Sequence, residues 1–284
     1  MADFQFLQNP LSQKWVIFAP RRAKRPDVAR GFEPVCPFCL GREKNEPEVF
    51  RIGGSPGDSN WQVRVIPNKF PFAPIHEVVI HSPDHHKNFD ELPLSQVELI
   101  LQTYRQRYNT HQDKGQIYIF HNRGEGGGES LPHPHTQIAV VPLEVRMDIP
   151  RLDPSSSADG VGPDKEEQIQ VETAHFYLFC PKTSQWPDEV WVAPKVRGRA
   201  FGEVNDTELT DLAFILARLI QIMDLRHGRE FPFNFYIYPG GDWYLRLIPR
   251  SKSLGGFEVG TGYFRKHTRS QRNNTIHTRT FYPT

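Results

Sequence analysis

The sequence predicts an α+β fold in which two tandem copies of one unit form antiparallel sheets with helices packed on them. Two stretches about 110 residues apart, 64–83 and 177–195, carry the same pattern. Each has a short apolar strand, a proline-containing connection and a second strand that includes Glu-Val. A helical stretch, an aromatic strand and a glycine-rich turn with a further strand follow in both copies, which indicates a repeat.

The helices are predicted from apolar residues that recur at helical spacing in 95–108 and 206–226. Ser95 is expected to cap the first helix, and Asn205 or Asp206 the second. Short aromatic or apolar runs then indicate strands. These strands are predicted at 116–121, 137–141, 231–238 and 243–248.

The repeat divides the chain into an N-terminal unit, 1–150, and a C-terminal unit, 168–265. The segment 151–167 between them is polar, lacks hydrophobic periodicity and is rich in Pro, Gly and Ser, which is typical of a linker. The last residues, 266–284, contain many Arg, Asn and Thr, and we expect a loosely attached tail.

Composition excludes several classes of protein. The chain has 284 residues, with 34 Lys and Arg against 33 Asp and Glu, so no bulk positive field exists to hold a nucleic acid. Three cysteines cannot form a disulfide framework, and the N-terminus lacks a signal-peptide pattern. The longest apolar-looking stretch, 209–225, is too polar to span a membrane. We therefore expect a soluble, cytoplasmic protein.

Chemistry is concentrated in a glycine-rich stretch, 122–130, and the His-Pro-His-x-Gln run that follows it. On an extended strand, His133, His135 and Gln137 would share one face. Pro134 donates no backbone hydrogen bond, so the segment is expected to be an edge strand or a strand entry open to a ligand. The glycines would let backbone N–H groups approach an anion, or would merely form a flexible loop.

The run 120–137, FHNRGEGGGESLPHPHTQ, resembles the active-site motif of the galactose-1-phosphate uridylyltransferase family, in the nucleotidyltransferase branch of the histidine-triad superfamily. It departs from the family pattern at Leu131, where Asn is usual, and at Thr136, where Gly is usual. The resemblance implies two histidine-triad-like units, the second degenerate. The matching residues are Asn122, Gly124, Gly128, Ser130, Pro132, His133, Pro134, His135 and Gln137.

The resemblance implies ping-pong chemistry through a covalent nucleotidyl-histidine on His135, which suits a neutral imidazole. Gln137 would donate its amide N–H to a phosphoryl oxygen, and Ser130 and Asn122 would hold neighbouring phosphate oxygens, with Gly128 in the phosphate-binding loop. A neutral amide cannot act as a general base, so transfer is favoured over hydrolysis.

Further substrate contacts are implied outside this run. Arg22 and Arg25 match an N-terminal Arg-Pro segment that would clamp a sugar phosphate, although a solvated basic loop would look the same. Asn68 matches a nucleotide-contacting strand end. In the family's hexose-binding segment only three residues match, Phe257, Val259 and Gly260.

A metal site is indicated by the Cys-x-x-Cys sequence of Cys36 and Cys39, which in a non-secreted chain favours zinc over a disulfide. The resemblance supplies His85 and His133 as the other two ligands of one structural zinc, with His86 as a rival to His85. Some family members have a second metal site, but its two histidines are replaced here, so we expect no second metal.

The function implied is uridylyl transfer between UDP-glucose and a hexose 1-phosphate, by an enzyme expected to be a homodimer. An adenylyltransferase or phosphorylase acting on an ADP-sugar or a dinucleoside polyphosphate would use the same His135 chemistry. A non-catalytic nucleotide-binding zinc protein is a third possibility. The sequence leaves the choice of base and hexose open.

Overall fold

The computed structural model describes residues 4–24, 35–152, 169–181, 183–264 and 281–282. Most of the predicted linker and most of the predicted tail lie outside these ranges. The strands are β1 (Gln5–Gln8), β2 (Trp15–Phe18), β3 (Phe50–Ile52), β4 (Val63–Pro67), β5 (Ile75–Ile80), β6 (Gln116–Arg123), β7 (His135–Val141), β8 (Ile169–Glu172), β9 (Phe176–Phe179), β10 (Val190–Pro194), β11 (Phe233–Ile237) and β12 (Leu245–Pro249). The helices are α1 (Leu94–His111), α2 (Asp206–His227) and α3 (Gly256–Thr261).

Ten of these strands form one antiparallel sheet in the order β3-β4-β5-β7-β6-β11-β12-β10-β9-β8, and β1 pairs with β2 separately. The α+β fold class is therefore confirmed. β6 pairs with β11 and so joins the two halves into one continuous sheet. The order of strands in one half mirrors the order in the other, while the division into two units stays a prediction.

One face of the sheet carries α1 and α2, and this packing forms the main core. Val97 and Ile100 of α1 and Leu212 and Leu216 of α2 have no exposed surface. Burying each such side chain contributes about 1.5–3 kcal/mol. Because side chains alternate along a strand, Ile138 of β7 faces these helices and its two sequence neighbours face the other side.

The start of α2 agrees with the predicted cap, whereas the start of α1 differs from the prediction. Asn205 caps α2, since its side chain accepts from the Glu208 backbone N–H at 2.9 Å and the Glu208 carboxylate accepts from the Asn205 N–H at 2.8 Å. Ser95 does not cap α1. Pro93 precedes that helix and offers only its carbonyl, so Ser95 lies within the first turn.

Part of the predicted tail packs against α2. Phe281 is fully buried beside Phe214, and its carbonyl accepts from Nε of Arg218 at 3.1 Å, so this part of the tail is held against α2 rather than loosely attached.

No helix within the described ranges combines the length and apolar character needed to cross a membrane.

Candidate active site and metal site

The His-Pro-His-x-Gln run lies at the start of an interior strand. β7 pairs with both β5 and β6, so the expectation of an edge strand was wrong and the alternative, a strand entry, is what the structure shows. Pro134 directly precedes β7 and needs no hydrogen-bond acceptor there, while its carbonyl accepts from the His81 N–H at 3.2 Å. His135 and Gln137 share the face opposite the helices, whereas His133 precedes the strand and turns toward the cysteines.

His135 has a defined tautomer. Its Nδ1 lies 2.8 Å from the carbonyl oxygen of His133, an acceptor only, so Nδ1 carries the proton and Nε2 carries the lone pair. The Phe38 ring packs edge-on against this imidazole, with 5.3 Å between centroids. His135 lines a cavity of about 290 Å³ together with Gln137, Ser130 and Leu131. The arrangement presents an oriented nitrogen nucleophile to a cavity.

Gln137 is also held in one orientation. Its Oε1 accepts from Nε2 of His76 at 3.0 Å and from Nδ2 of Asn68 at 3.3 Å. The backbone N–H of Phe72 points at Nδ1 of His76, 3.4 Å away, which places the His76 proton on Nε2. The oxygen of Gln137 is thereby used within the protein, and its NH₂ group is the end offered to a ligand.

Sequence reasoning missed His76. This histidine has no metal-ligand spacing, and its link to Gln137 depends on the register in which β5 pairs with β7. A signal was nevertheless present, because His76 and Val78 share a strand face and Val78 lies opposite Gln137. Pairing the two strands correctly would have found the contact.

The structure places the predicted phosphate and nucleotide contacts in different surroundings. Asn68 lines the cavity, but its Oδ1 accepts from the Phe70 N–H at 2.9 Å and its Nδ2 supports Gln137, so it is tied mainly to the protein. Arg22 donates to the Phe70 carbonyl at 2.8 Å and lies over the Phe72 ring, and burial lowers its pKa. Arg25 lies outside the described residues.

The glycine-rich loop is closed by Glu129. Its carboxylate accepts from the Gly124 N–H at 2.6 Å, and its own N–H donates to the Gly124 carbonyl at 3.1 Å. Gly128 has a φ of +79°, a left-handed conformation that favours glycine. Burial raises the pKa of Glu129 to about 7, and the hydrogen bond from Gly124 opposes that shift. The loop is thus a fixed turn rather than a slack connection.

The four predicted metal ligands lie close together in the structure. The ligand atoms of Cys36, Cys39, His85 and His133 all lie within 4.8 Å of one another. Sγ of Cys39 is 3.1 Å from Nδ1 of His85 and 3.7 Å from Nδ1 of His133. His86, the rival of His85, is exposed and does not belong to this group.

The surroundings of the cluster fit a cation. Nε2 of His133 donates to the Ser82 carbonyl at 2.9 Å, which leaves its Nδ1 as the coordinating atom. Burial raises the pKa of the Cys36 thiol to about 11 and so disfavours the thiolate. A bound cation would offset this effect because it stabilises the thiolate. Two sulfurs and two imidazole nitrogens form the donor set of a closed tetrahedral zinc site.

In the C-terminal half, the position equivalent to His135 is held by Tyr244, which is fully buried. Phe120 pairs with Gln137, Tyr236 pairs with Arg246, and Phe120 pairs with Tyr236, so Arg246 occupies the place of Gln137. Arg246 forms a buried ion pair with Glu189 at 2.6 Å. On this half of the sheet, Trp191, Tyr236 and Tyr244 are buried in one cluster.

The predicted hexose contacts lie elsewhere. Phe257, Val259 and Gly260 belong to α3 and are exposed, and none of them lines the cavity around His135 in the described part of the chain. Their role in substrate binding stays a prediction.

Comparison with known proteins finds one family match and several similar proteins. Residues 75–141, which include β5 through β7, match the family model for the N-terminal domain of galactose-1-phosphate uridyl transferase. An ADP-glucose phosphorylase of Arabidopsis thaliana is 28% identical, with 90% of this chain and 87% of that protein covered. A galactose-1-phosphate uridylyltransferase of Thermotoga maritima is also 28% identical, over 81% of this chain and 79% of its own.

Solved structures give the same result. A crystal structure of an Arabidopsis thaliana ADP-glucose phosphorylase with bound ADP-glucose superposes with a TM-score of 0.66 at 26% identity, covering 92% of this chain and 94% of that one. A uridylyltransferase structure with 20% identity and a TM-score of 0.73, covering 95% and 96%, shares the fold. The chain is therefore an enzyme of the nucleotidyltransferase type. The resemblance to the galactose-1-phosphate uridylyltransferase family is confirmed.

Proposed function

We propose that this enzyme transfers a nucleoside monophosphate from a nucleotide sugar to a phosphate acceptor through a covalent intermediate on His135. One observation carries the proposal: the bond from Nδ1 of His135 to the His133 carbonyl, which leaves Nε2 as the nucleophilic atom in a residue that lines a cavity.

The reaction has two balanced displacements. Nε2 attacks the α-phosphorus, the P–N bond forms, and the P–O bond to the departing sugar 1-phosphate breaks with its electron pair on oxygen. An oxygen of the acceptor phosphate then attacks the same phosphorus and displaces His135. Because Nε2 of the neutral imidazole attacks through its lone pair and carries no proton, the first displacement needs no base. In the second, the electron pair of the P–N bond returns to Nε2.

The neighbouring side chains provide hydrogen-bond donors for the phosphoryl oxygens. The oriented NH₂ group of Gln137 would stabilise charge at the reacting phosphorus, with Ser130 and Asn122 holding adjacent oxygens. Gln137 cannot deprotonate water, which supports transfer over hydrolysis.

The first candidate for the substrates is UDP-glucose with a hexose 1-phosphate, supported by the family match and the uridylyltransferase relatives. The second is adenylyl transfer to phosphate, the phosphorolysis of an ADP-sugar or a dinucleoside polyphosphate. It is supported by the ADP-glucose phosphorylase that aligns over 90% of this chain.

Intact-mass measurement tests both candidates. The protein is incubated separately with UDP-glucose, ADP-glucose and diadenosine tetraphosphate, each without an acceptor. A mass increase equal to a uridylyl or adenylyl group, that is UMP or AMP less one water, would identify the base and the covalent mechanism together. Tight nucleotide binding without any mass increase would instead support the non-catalytic zinc protein and contradict the proposal.

We also propose that Cys36, Cys39, His85 and His133 hold one structural zinc. Phe38, between the two cysteines, packs edge-on against both His133 and His135, so a fixed Cys-x-x-Cys turn would hold the His135 ring in place. A homodimer is proposed from the family resemblance alone, and sedimentation equilibrium tests it.

A further inference from the structure

Asn234 brings the C-terminal half of the chain to the active site. It lies on β11 directly opposite Asn122 of β6, in the pair of strands that joins the two halves of the sheet. Asn122 is two residues beyond Phe120, which pairs with Gln137, so these side chains share one face. Directly opposed residues of an antiparallel pair are close enough for their side chains to interact.

The Nδ2 group of Asn234 makes two hydrogen bonds. It lies 2.8 Å from Oδ1 of Asn122 and 2.7 Å from the carbonyl oxygen of Gly127. A primary amide has two N–H hydrogens, so each bond uses one of them. Turning the Asn234 amide over would place its oxygen against two acceptors, and the orientation is therefore fixed.

The same bonds decide what Asn122 presents to a ligand. Its oxygen accepts from Asn234, so the Asn122 NH₂ group is the end available as a donor. The bond to Gly127 holds the glycine loop against β11, where a Cβ on Gly127 would lie only 2.8 Å from the Phe233 carbonyl oxygen. Asn234 thus fixes both a donor and the loop that bears Gly128 and Ser130.

We infer that Asn234 is a positioning residue for nucleotidyl transfer, which orients the Asn122 amide and the 124–130 loop toward the phosphates of the bound nucleotide. The inference rests on the proposed function of His135. It assigns the C-terminal half a direct part in a site whose nucleophile belongs to the N-terminal half.

The substitution Asn234→Asp tests this role, because it keeps the shape and replaces two donors with acceptors. We expect the single-turnover rate of adduct formation to fall about 10- to 100-fold. The dissociation constant for the nucleotide sugar, measured with the His135→Asn background, should change less than the rate. Asn109→Asp is the matched control, since Nδ2 of Asn109 also donates to a glycine carbonyl, that of Gly202 at 3.1 Å, away from the site.

A double-mutant cycle separates positioning from a general loss of structure. If Asn234 acts through Asn122, the rate lost in Asn234→Ala and Asn122→Ala together should be well below the product of the single losses. Multiplicative losses, or a wild-type rate in Asn234→Asp, would overturn the inference. A general loss of structure in Asn234→Ala would lower the thermal midpoint, and its effect on the rate would multiply with that of Asn122→Ala. Absence of any adduct in the wild-type protein would remove the proposed function itself, a distinguishable result.

Discussion

Nε2 of His76 lies 3.0 Å from Oε1 of Gln137, and this contact determines which end of the Gln137 amide faces the cavity. The backbone N–H of Phe72 points at Nδ1 of His76, which places the proton on Nε2 and lets the imidazole donate to Gln137. Through His76, the backbone N–H of Phe72 thereby fixes the Gln137 amide, so that its NH₂ group faces the cavity beside His135. Without it, the amide could offer its oxygen, which would repel a phosphoryl oxygen.

Replacing His76 with Phe should slow adduct formation while leaving nucleotide affinity nearly unchanged. Phenylalanine keeps the ring that packs on Phe72, at 4.2 Å between centroids, but removes the Nε2–H donor. We expect the single-turnover rate to fall about tenfold. Gln137→Glu, which cannot donate at all when ionised, should cost about 100-fold or more. Equal rates for His76→Phe and the wild type would contradict the role assigned to His76.

His135→Asn should abolish labelling of the protein by a nucleotide sugar carrying a radiolabel at the α-phosphate. Asparagine has no nitrogen lone pair that can attack phosphorus, although the cavity and the Gln137 donor remain. Equilibrium binding of the same nucleotide sugar serves as the control for an intact site and should persist. Undiminished labelling of this variant would exclude His135 as the nucleophile.

The α+β fold class and the capping of α2 were accessible from the sequence, as was the motif around His135, because each depends on local pattern. The repeat follows from hydrophobic spacing, and the Asn205 cap from residues three apart. Edge or interior position is not local. Pro134 suggested an edge strand, but β5, which is distant in sequence, pairs with β7. The proline is accommodated because it lies one residue before the strand.

The parts of the site that could not be predicted are contacts between distant strands. His76 and Gln137 are 61 residues apart, and Asn234 and Asn122 are 112 apart. Neither pair has a local signature, because an isolated polar residue on a strand reads as a surface position until the register is known. The family resemblance supplied His85 and His133, which spacing alone did not, and the structure brings both to Cys36 and Cys39.

Cys39→Ser should lower both the zinc content and the thermal midpoint of the purified protein. A serine hydroxyl is a far poorer zinc ligand than a thiolate, and loss of the site would release the turn that holds Phe38 against His135. Cys180→Ser is the matched control, because Cys180 does not belong to the four-residue cluster. Metal analysis that finds no zinc in the wild type, with Cys39→Ser as stable and active, would refute the zinc proposal.

Glu129→Gln should flatten the pH dependence of stability that arises in the glycine loop. Burial raises the pKa of Glu129 to about 7 in the folded protein, against about 4.3 for an unfolded chain. As pH rises between these values, the unfolded chain ionises while the folded chain still holds its proton, so the free energy of unfolding falls. It levels off above pH 7, where both are ionised.

The size of this effect is on the order of 2–3 kcal/mol between pH 4 and pH 8. Denaturant unfolding across that range measures it as the difference between wild type and Glu129→Gln, which cancels contributions from other groups. Glu125→Gln, at an exposed position in the same loop, is the control and should follow the wild-type curve. Parallel curves for wild type and Glu129→Gln would show that the Glu129 carboxyl titrates alike in the folded and unfolded chains, contrary to its burial beside Gly124.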